Sequence, residues 1–145
     1  MEKLKVILIG AGDRGRIYIS RMDPEKFQVV GVADPVPGLR QFVKETYGLT
    51  DDQCYESYED ILAVPKFADV AIIATMDQLH YAPCMKAIEL GYDILLEKPV
   101  SADYQECVDM ANAAKEKGTK VLVCHVLRYA PFFMKIKEMN LIMKI

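Results

Sequence analysis

Five short segments of this chain are apolar almost from end to end, and the stretches between them carry helical periodicity. The segments are Leu4 to Ile9, Phe27 to Ala33, Val70 to Ala74, Ile94 to Leu96 and Val121 to Cys124. A strand with one wet face alternates polar and apolar residues, whereas a strand covered by helices on both faces has no such need. The intervening stretches supply those helices. Residues 14 to 22 form the first. Gly38 to Tyr47 places Leu39, Phe42, Val43 and Thr46 on one face and stops at Gly48. Ser57-Tyr58-Glu59-Asp60 resembles a capping box at the start of a short helix. Tyr81, Cys84, Met85 and Ile88 share a face that ends at Gly91. Ser101 caps a last helix, with Tyr104, Cys107, Val108, Ala111 and Ala114 inward and Gly118 at its end. Short right-handed crossovers between such strands leave one sensible architecture, an α/β, open, doubly wound parallel sheet.

Composition narrows the function classes. With 145 residues the chain sits in the single-domain range. At that length roughly 70% of the unfolded surface is buried on folding, so no disulfide or metal is needed to hold the core. Apolar residues make up 52%, and the net charge of −3 leaves no basic footprint for nucleic acid. Cys54, Cys84, Cys107 and Cys124 form no CxxC pair, and His80 and His125 stand apart, so no metal site is expected. The first apolar run is too short for a signal peptide and no segment approaches membrane-spanning length. These features point to a cytoplasmic protein with neither a nucleic-acid nor a membrane partner.

The first strand runs straight into Gly10-Ala11-Gly12-Asp13-Arg14-Gly15. GxGxxG is weak as a bare pattern, but between a strand and a helix it stands where a phosphate site must be. The first glycine permits the turn, the second lets a pyrophosphate approach the backbone, and the third packs helix against strand. The helix N-terminus then offers free N–H groups to the anion. Asp34, nineteen residues after Gly15, closes the second strand in VVGVADP, where a carboxylate accepts from ribose hydroxyls and repels a 2′-phosphate. No basic residue occurs from Pro35 to Gly38, and Arg40 is the nearest, so NAD is expected ahead of NADP. An ordinary tight turn and a helix cap are the plain alternatives for the glycines and for Asp34.

A second clue lies in ILLEKPVSA, residues 94 to 102, where an apolar strand ends abruptly on Glu97-Lys98-Pro99. Ligands of doubly wound sheets bind outside the carboxyl ends of the strands, where strand order reverses. The first strand and the Ile94–Leu96 strand are expected to flank that crevice, aiming the charges into it. A lysine there would hydrogen-bond a substrate hydroxyl or the nicotinamide ribose and stabilise charge on oxygen. A surface salt bridge at a strand end is the bland alternative.

The separated motifs VILIGAGDRG, VVGVADP, YESYEDIL, DVAIIATMDQLHYAPCMKAIELGYDILLEKPVSA and VLVCHVLRYAPFF appear in order along the chain. Together they resemble the family named after glucose–fructose oxidoreductase, inositol dehydrogenase and the rhizopine-catabolism protein MocA. The resemblance implies a Rossmann fold that binds NAD, with NADP possible, and hydride transfer to or from a sugar, cyclitol or related polyol. It implies that Lys98 is the catalytic lysine beside nicotinamide and substrate, with Glu97 on its cofactor side, and it suggests a cis bond between Lys98 and Pro99. It implies that Gly10 to Gly15, Asp34 and Pro35 carry the cofactor, joined by the loop Ala74, Thr75 and Met76. Here Met76 and Asp77 replace the family's proline and asparagine. His80 either faces the cofactor or caps its helix, and Arg128 either binds substrate or anchors a further domain.

Members of that family are typically more than twice this length, with a second α/β domain that provides most of the substrate pocket. Residues 1–130 are therefore expected to be the NAD(P)-binding domain, and 131–145 a helical tail leading toward a domain that is missing here. Phe132, Phe133, Ile136, Leu141, Ile142 and Ile145 make that tail very apolar, so homo-oligomerisation through it is expected. Without the second domain, a non-catalytic dinucleotide-binding module or an NADH-sensing domain is the alternative to a working dehydrogenase.

Overall fold

The computed structural model describes residues 2–139. Its strands are β1 (Leu4–Ile9), β2 (Phe27–Ala33), β3 (Cys54–Tyr55), β4 (Val70–Ile73), β5 (Asp93–Leu96) and β6 (Val121–Val123). Its helices are α1 (Asp13–Arg21), α2 (Pro37–Tyr47), α3 (Tyr58–Ala63), α4 (Tyr81–Leu90), α5 (Tyr104–Lys117) and α6 (Pro131–Glu138). All six strands lie in one sheet in the order β3-β2-β1-β4-β5-β6. Every neighbouring pair is parallel. The chain winds outward from β1 to β3, crosses back to β4, and winds outward again to β6. Strand order thus reverses between β1 and β4, as a Rossmann fold requires.

The end-to-end apolar character of β1 has a direct cause. Val6, Ile7, Leu8 and Ile9 are each 1% exposed or less. Successive side chains leave a strand on opposite faces. Val6 and Leu8 therefore join one core with Ile19, Val32, Val43 and Ile72. Ile7 and Ile9 join another with Ile61, Ile73, Cys84 and Ile88. Each such side chain contributes about 1.5–3 kcal/mol on burial, and neither face has room for a polar residue.

Four expectations need correction. First, the sheet has a sixth strand: β3 is two residues long, too short to show any period, and pairs at the edge with Val32 and Ala33. Second, β5 is not beside β1, because β4 lies between them, and Glu97 stands one strand further from the glycine turn than expected. Third, Asp103 rather than Ser101 caps α5, its carboxylate accepting from the Glu106 N–H at 3.1 Å. Ser101 instead accepts from the Asp103 N–H and donates to the Glu106 carboxylate. Fourth, two helices bury narrower faces than their periodicity suggests. Tyr104 and Ala111 of α5 and Phe42 and Thr46 of α2 are exposed, while Met110, Ala114 and Val43 are the fully buried positions.

The two edges of the sheet differ. β6 leaves Leu122 exposed, and α6 packs chiefly on the short turn Val126–Tyr129 that precedes it. Leu141, Ile142 and Ile145 of the expected tail lie outside the described residues. Among the described residues no helix is long and apolar enough to cross a membrane.

Candidate functional site

The turn after β1 is built by backbone that approaches backbone. Gly10 adopts φ +93°, and its N–H donates to the Ala33 carbonyl at 2.9 Å. A Cβ on Gly10 would stand 2.6 Å from the Ala74 carbonyl oxygen, and one on Gly15 would stand 2.0 Å from the Gly10 oxygen. Gly12, in contrast, would meet nothing within 4 Å. The first and third glycines are thus consumed by the packing of β1, β4 and α1. The second has open space in front of it, which is where a ligand could approach the backbone.

Asp34 is 7% exposed and holds the far side of the turn. Its Oδ2 accepts from the Ala11 N–H at 2.7 Å and its Oδ1 from the Val36 N–H at 2.8 Å. An ionised carboxylate offers about four acceptor sites, so each oxygen keeps one for a further donor. The Arg40 guanidinium donates to the Asp34 carbonyl at 2.6 Å through Nη1 and lies 3.3 Å from Glu56 through Nη2. Asp34, Val36 and Glu56 border a hollow of about 530 Å³ at the carboxyl edge of the sheet, over the point where strand order reverses. Of the residues singled out from the sequence, Gly10, Gly12, Asp13, Arg14, Asp34, Pro35, Ala74, Thr75 and Met76 line it. Ala11 and Gly15 are buried and do not line it.

Glu97, Lys98, His80 and Arg128 stand off this hollow. Glu97 is 6% exposed and turned inward, where its Oε1 accepts from the Tyr18 hydroxyl at 3.0 Å and pairs with Arg14 Nε at 3.5 Å. Its other oxygen accepts from the Lys98 N–H. Burial, then the Cys124 thiol, then Glu97 push the Tyr18 phenol well above its ordinary range, so Tyr18 remains a donor. This cluster links α1, which carries the glycine turn, to the end of β5. Lys98 is exposed at the same carboxyl edge, and the bond between it and Pro99 is cis. The abrupt change at Leu96-Glu97-Lys98 therefore has two halves, with the acid folded under and the base left in solvent.

His80 neither caps its helix through its side chain nor lines the hollow. Its fully buried ring lies 2.7 Å through Nδ1 from the Pro99 carbonyl and 3.2 Å through Nε2 from the Thr75 carbonyl. The shorter contact favours the tautomer whose Nδ1–H donates to Pro99. That bond ties His80, at the start of α4, to the segment after Lys98. Arg128 is exposed on the turn after β6.

Sequence reasoning did not assign Ile9, Ala33, Val36, Leu39, Glu56, Ser57, Tyr58 or Leu79 to the site, and these complete the lining. Glu56 and Ser57 follow the two-residue β3, and an unrecognised strand cannot point to the residues at its end. Tyr18 was equally silent, because its partner lies 79 residues away.

A family model described as an oxidoreductase family with an NAD-binding Rossmann fold matches residues 4–125. An inositol 2-dehydrogenase/D-chiro-inositol 3-dehydrogenase of Lactiplantibacillus plantarum is 30% identical over 138 residues, which is 93% of this chain and 39% of that protein. The crystal structure of an NAD-binding protein from Listeria innocua superposes with a TM-score of 0.80 at 30% identity, covering 95% of this chain and 40% of the other. The WlbA dehydrogenase from Bordetella pertussis, solved with NADH and UDP-GlcNAcA, gives a TM-score of 0.86 at 22% identity, over 96% of this chain and 42% of that one. The latter likeness is one of fold. The chain spans about two fifths of the length of these relatives.

Proposed function

Because this chain belongs to the Gfo/Idh/MocA family of oxidoreductases and carries its NAD-binding Rossmann fold, we propose that it is the cofactor-holding part of a dehydrogenase acting on a sugar, cyclitol or related polyol. The observation that carries this reading is Asp34, nearly buried and held by two backbone amides, at the rim of a hollow that begins at Gly12. The turn from Gly10 through Ala11, Gly12, Asp13 and Arg14 to Gly15 would hold a pyrophosphate against the N-terminus of α1. Asp34 and Pro35 would hold the adenosine ribose, with Ala74, Thr75 and Met76 on the opposite wall. The bound nicotinamide supplies the hydride acceptor or donor.

Lys98 is the proposed catalytic residue, hydrogen-bonding the substrate oxygen and exchanging a proton with it as the carbon gains or loses hydride. Glu97 and His80 act through position. Glu97 accepts from the Lys98 backbone and His80 fixes the carbonyl that follows it. Arg128, exposed beyond β6, is assigned to substrate or to whatever covers that edge. An exposed Lys98 leaves the reaction open to water, which weakens electrostatic stabilisation. A further domain over Lys98 would remedy this, and residues 131–139 would be the start of the path toward it.

Calorimetric titration with NAD and NADP, followed by a dehydrogenase screen over inositols and sugars, tests the proposal. NAD binding with turnover supports it in full. Binding without turnover selects a dinucleotide-binding or NADH-sensing module, and absence of binding removes the reading altogether.

Self-association is the second proposal. Leu127, Tyr129, Phe132 and Met134 are exposed on one continuous segment at the β6 end, and such an apolar surface seeks a cover. Sedimentation at rising concentration should show a dimer or larger species. A clean monomer at the highest concentration contradicts it.

A further inference from the structure

The Asp34 end of the hollow carries two carboxylates and holds its nearest cation aside. Glu56 lines the hollow, whereas Arg40, which could meet a phosphate there, does not. Arg40 is only 14% exposed and lies against the Asp34 carbonyl and the Glu56 carboxylate. Among the described residues the one cation on the wall, Arg14, stands at the glycine turn and pairs with Glu97. Nothing in the sequence singled out Glu56, since it follows a strand too short to recognise.

We propose that Glu56 is a cofactor-specificity residue, acting by holding Arg40 out of the hollow and adding a second negative charge where a 2′-phosphate would lie. This rests on the reading that the hollow takes the adenosine end of a dinucleotide. Asp34 excludes a 2′-phosphate by charge, but a guanidinium one side chain away could offset that repulsion with a forked donor pair. Glu56 occupies the outer arm of that fork. Its side chain is 82% exposed, so its removal leaves the core untouched. Once released, Arg40 remains anchored on the Asp34 carbonyl through Nη1, with Nη2 free to reach a phosphate oxygen.

Binding alone decides the matter. NADH and NADPH fluorescence titrations would be run on the unaltered chain, on Glu56→Gln, and on Glu56→Gln combined with Arg40→Ala. The expected result is that the ratio of NADPH to NADH dissociation constants falls roughly tenfold in Glu56→Gln, the scale of one charge-assisted hydrogen bond. The ratio should return toward its original value in the double variant. An unchanged ratio in Glu56→Gln overturns the proposal, as does a gain that persists without Arg40. Failure of the unaltered chain to bind NADH overturns the underlying reading instead, so the two failures are told apart.

Discussion

The two ends of the sheet's carboxyl edge are built on opposite plans. At the β1–β2 end the working surface is backbone, with Gly10 and Gly15 pressed against main-chain oxygen and Asp34 locked by two amides. At the β5–β6 end it is side chain, with Lys98, Arg128, Tyr129 and Phe132 all exposed. A surface made of buried backbone is complete as soon as the domain folds. One made of exposed side chains acquires its dielectric and its geometry from whatever covers it. The difference teaches that the proposed dinucleotide site is complete within the fold, whereas the chemistry proposed at Lys98 would depend on what covers it.

The contrast breaks most readily at the glycines. Gly15→Ala should cost about 4 kcal/mol or more, or prevent folding, because the added methyl meets backbone that cannot move aside. Gly12→Ala should change stability by about 0.5 kcal/mol at most while impairing NADH binding, since its methyl enters the hollow rather than the fold. Urea unfolding of both variants checks this, and a stable Gly15→Ala protein would remove the distinction. The same comparison sharpens with Ile7→Ala, expected to cost about 2–5 kcal/mol from the centre of the sheet. Phe132→Ala, on an exposed ring, should stay within about 0.5 kcal/mol in dilute monomer.

Much of the first region was legible in the sequence. Its strands are long enough to show a pattern, and a glycine pressed against backbone cannot be replaced by another residue. Asp34 could be placed because it closes a recognisable apolar strand nineteen residues after Gly15. The second region was less legible. Its strand β6 is readable, but it fixes no partner for Arg128 on the turn that follows, while in the first region β3, two residues long, goes unread and leaves Glu56 without a frame. Contacts such as Tyr18 with Glu97, or His80 with Pro99, join residues that no local periodicity relates. The expectation that β5 borders β1 failed for a related reason, since periodicity does not encode strand order.

Smaller effects probe the link between the regions. Tyr18→Phe removes one donor from the buried Glu97 and should cost about 1–2 kcal/mol, measured by urea unfolding. No loss would mean that this bond does not join α1 to β5. Burial pushes the Cys84 thiol from 9.0 up to about 12. Below pH 9 the thiol is protonated whether the chain is folded or not, and its contribution is complete. Between pH 9 and about 12 the unfolded chain ionises first, so stability falls by at most about 1.4 kcal/mol per pH unit. Comparison with Cys84→Ala isolates that slope, and a flat difference would contradict the burial. The smallest effect is expected for Lys98→Met. This exposed side chain makes no hydrogen bond or ion pair among the described residues, so unfolding should stay within about 0.5 kcal/mol.

A crystal structure of the chain soaked with NAD bears most directly on the claim that the Gly12 turn and Asp34 frame one dinucleotide site. The expected density has its pyrophosphate over the backbone from Gly12 to Arg14, an adenosine ribose hydroxyl on each free acceptor of Asp34, and the nicotinamide toward Lys98. Density elsewhere on the molecule, or the same cleft filled with the adenosine at the Lys98 end, would contradict the account.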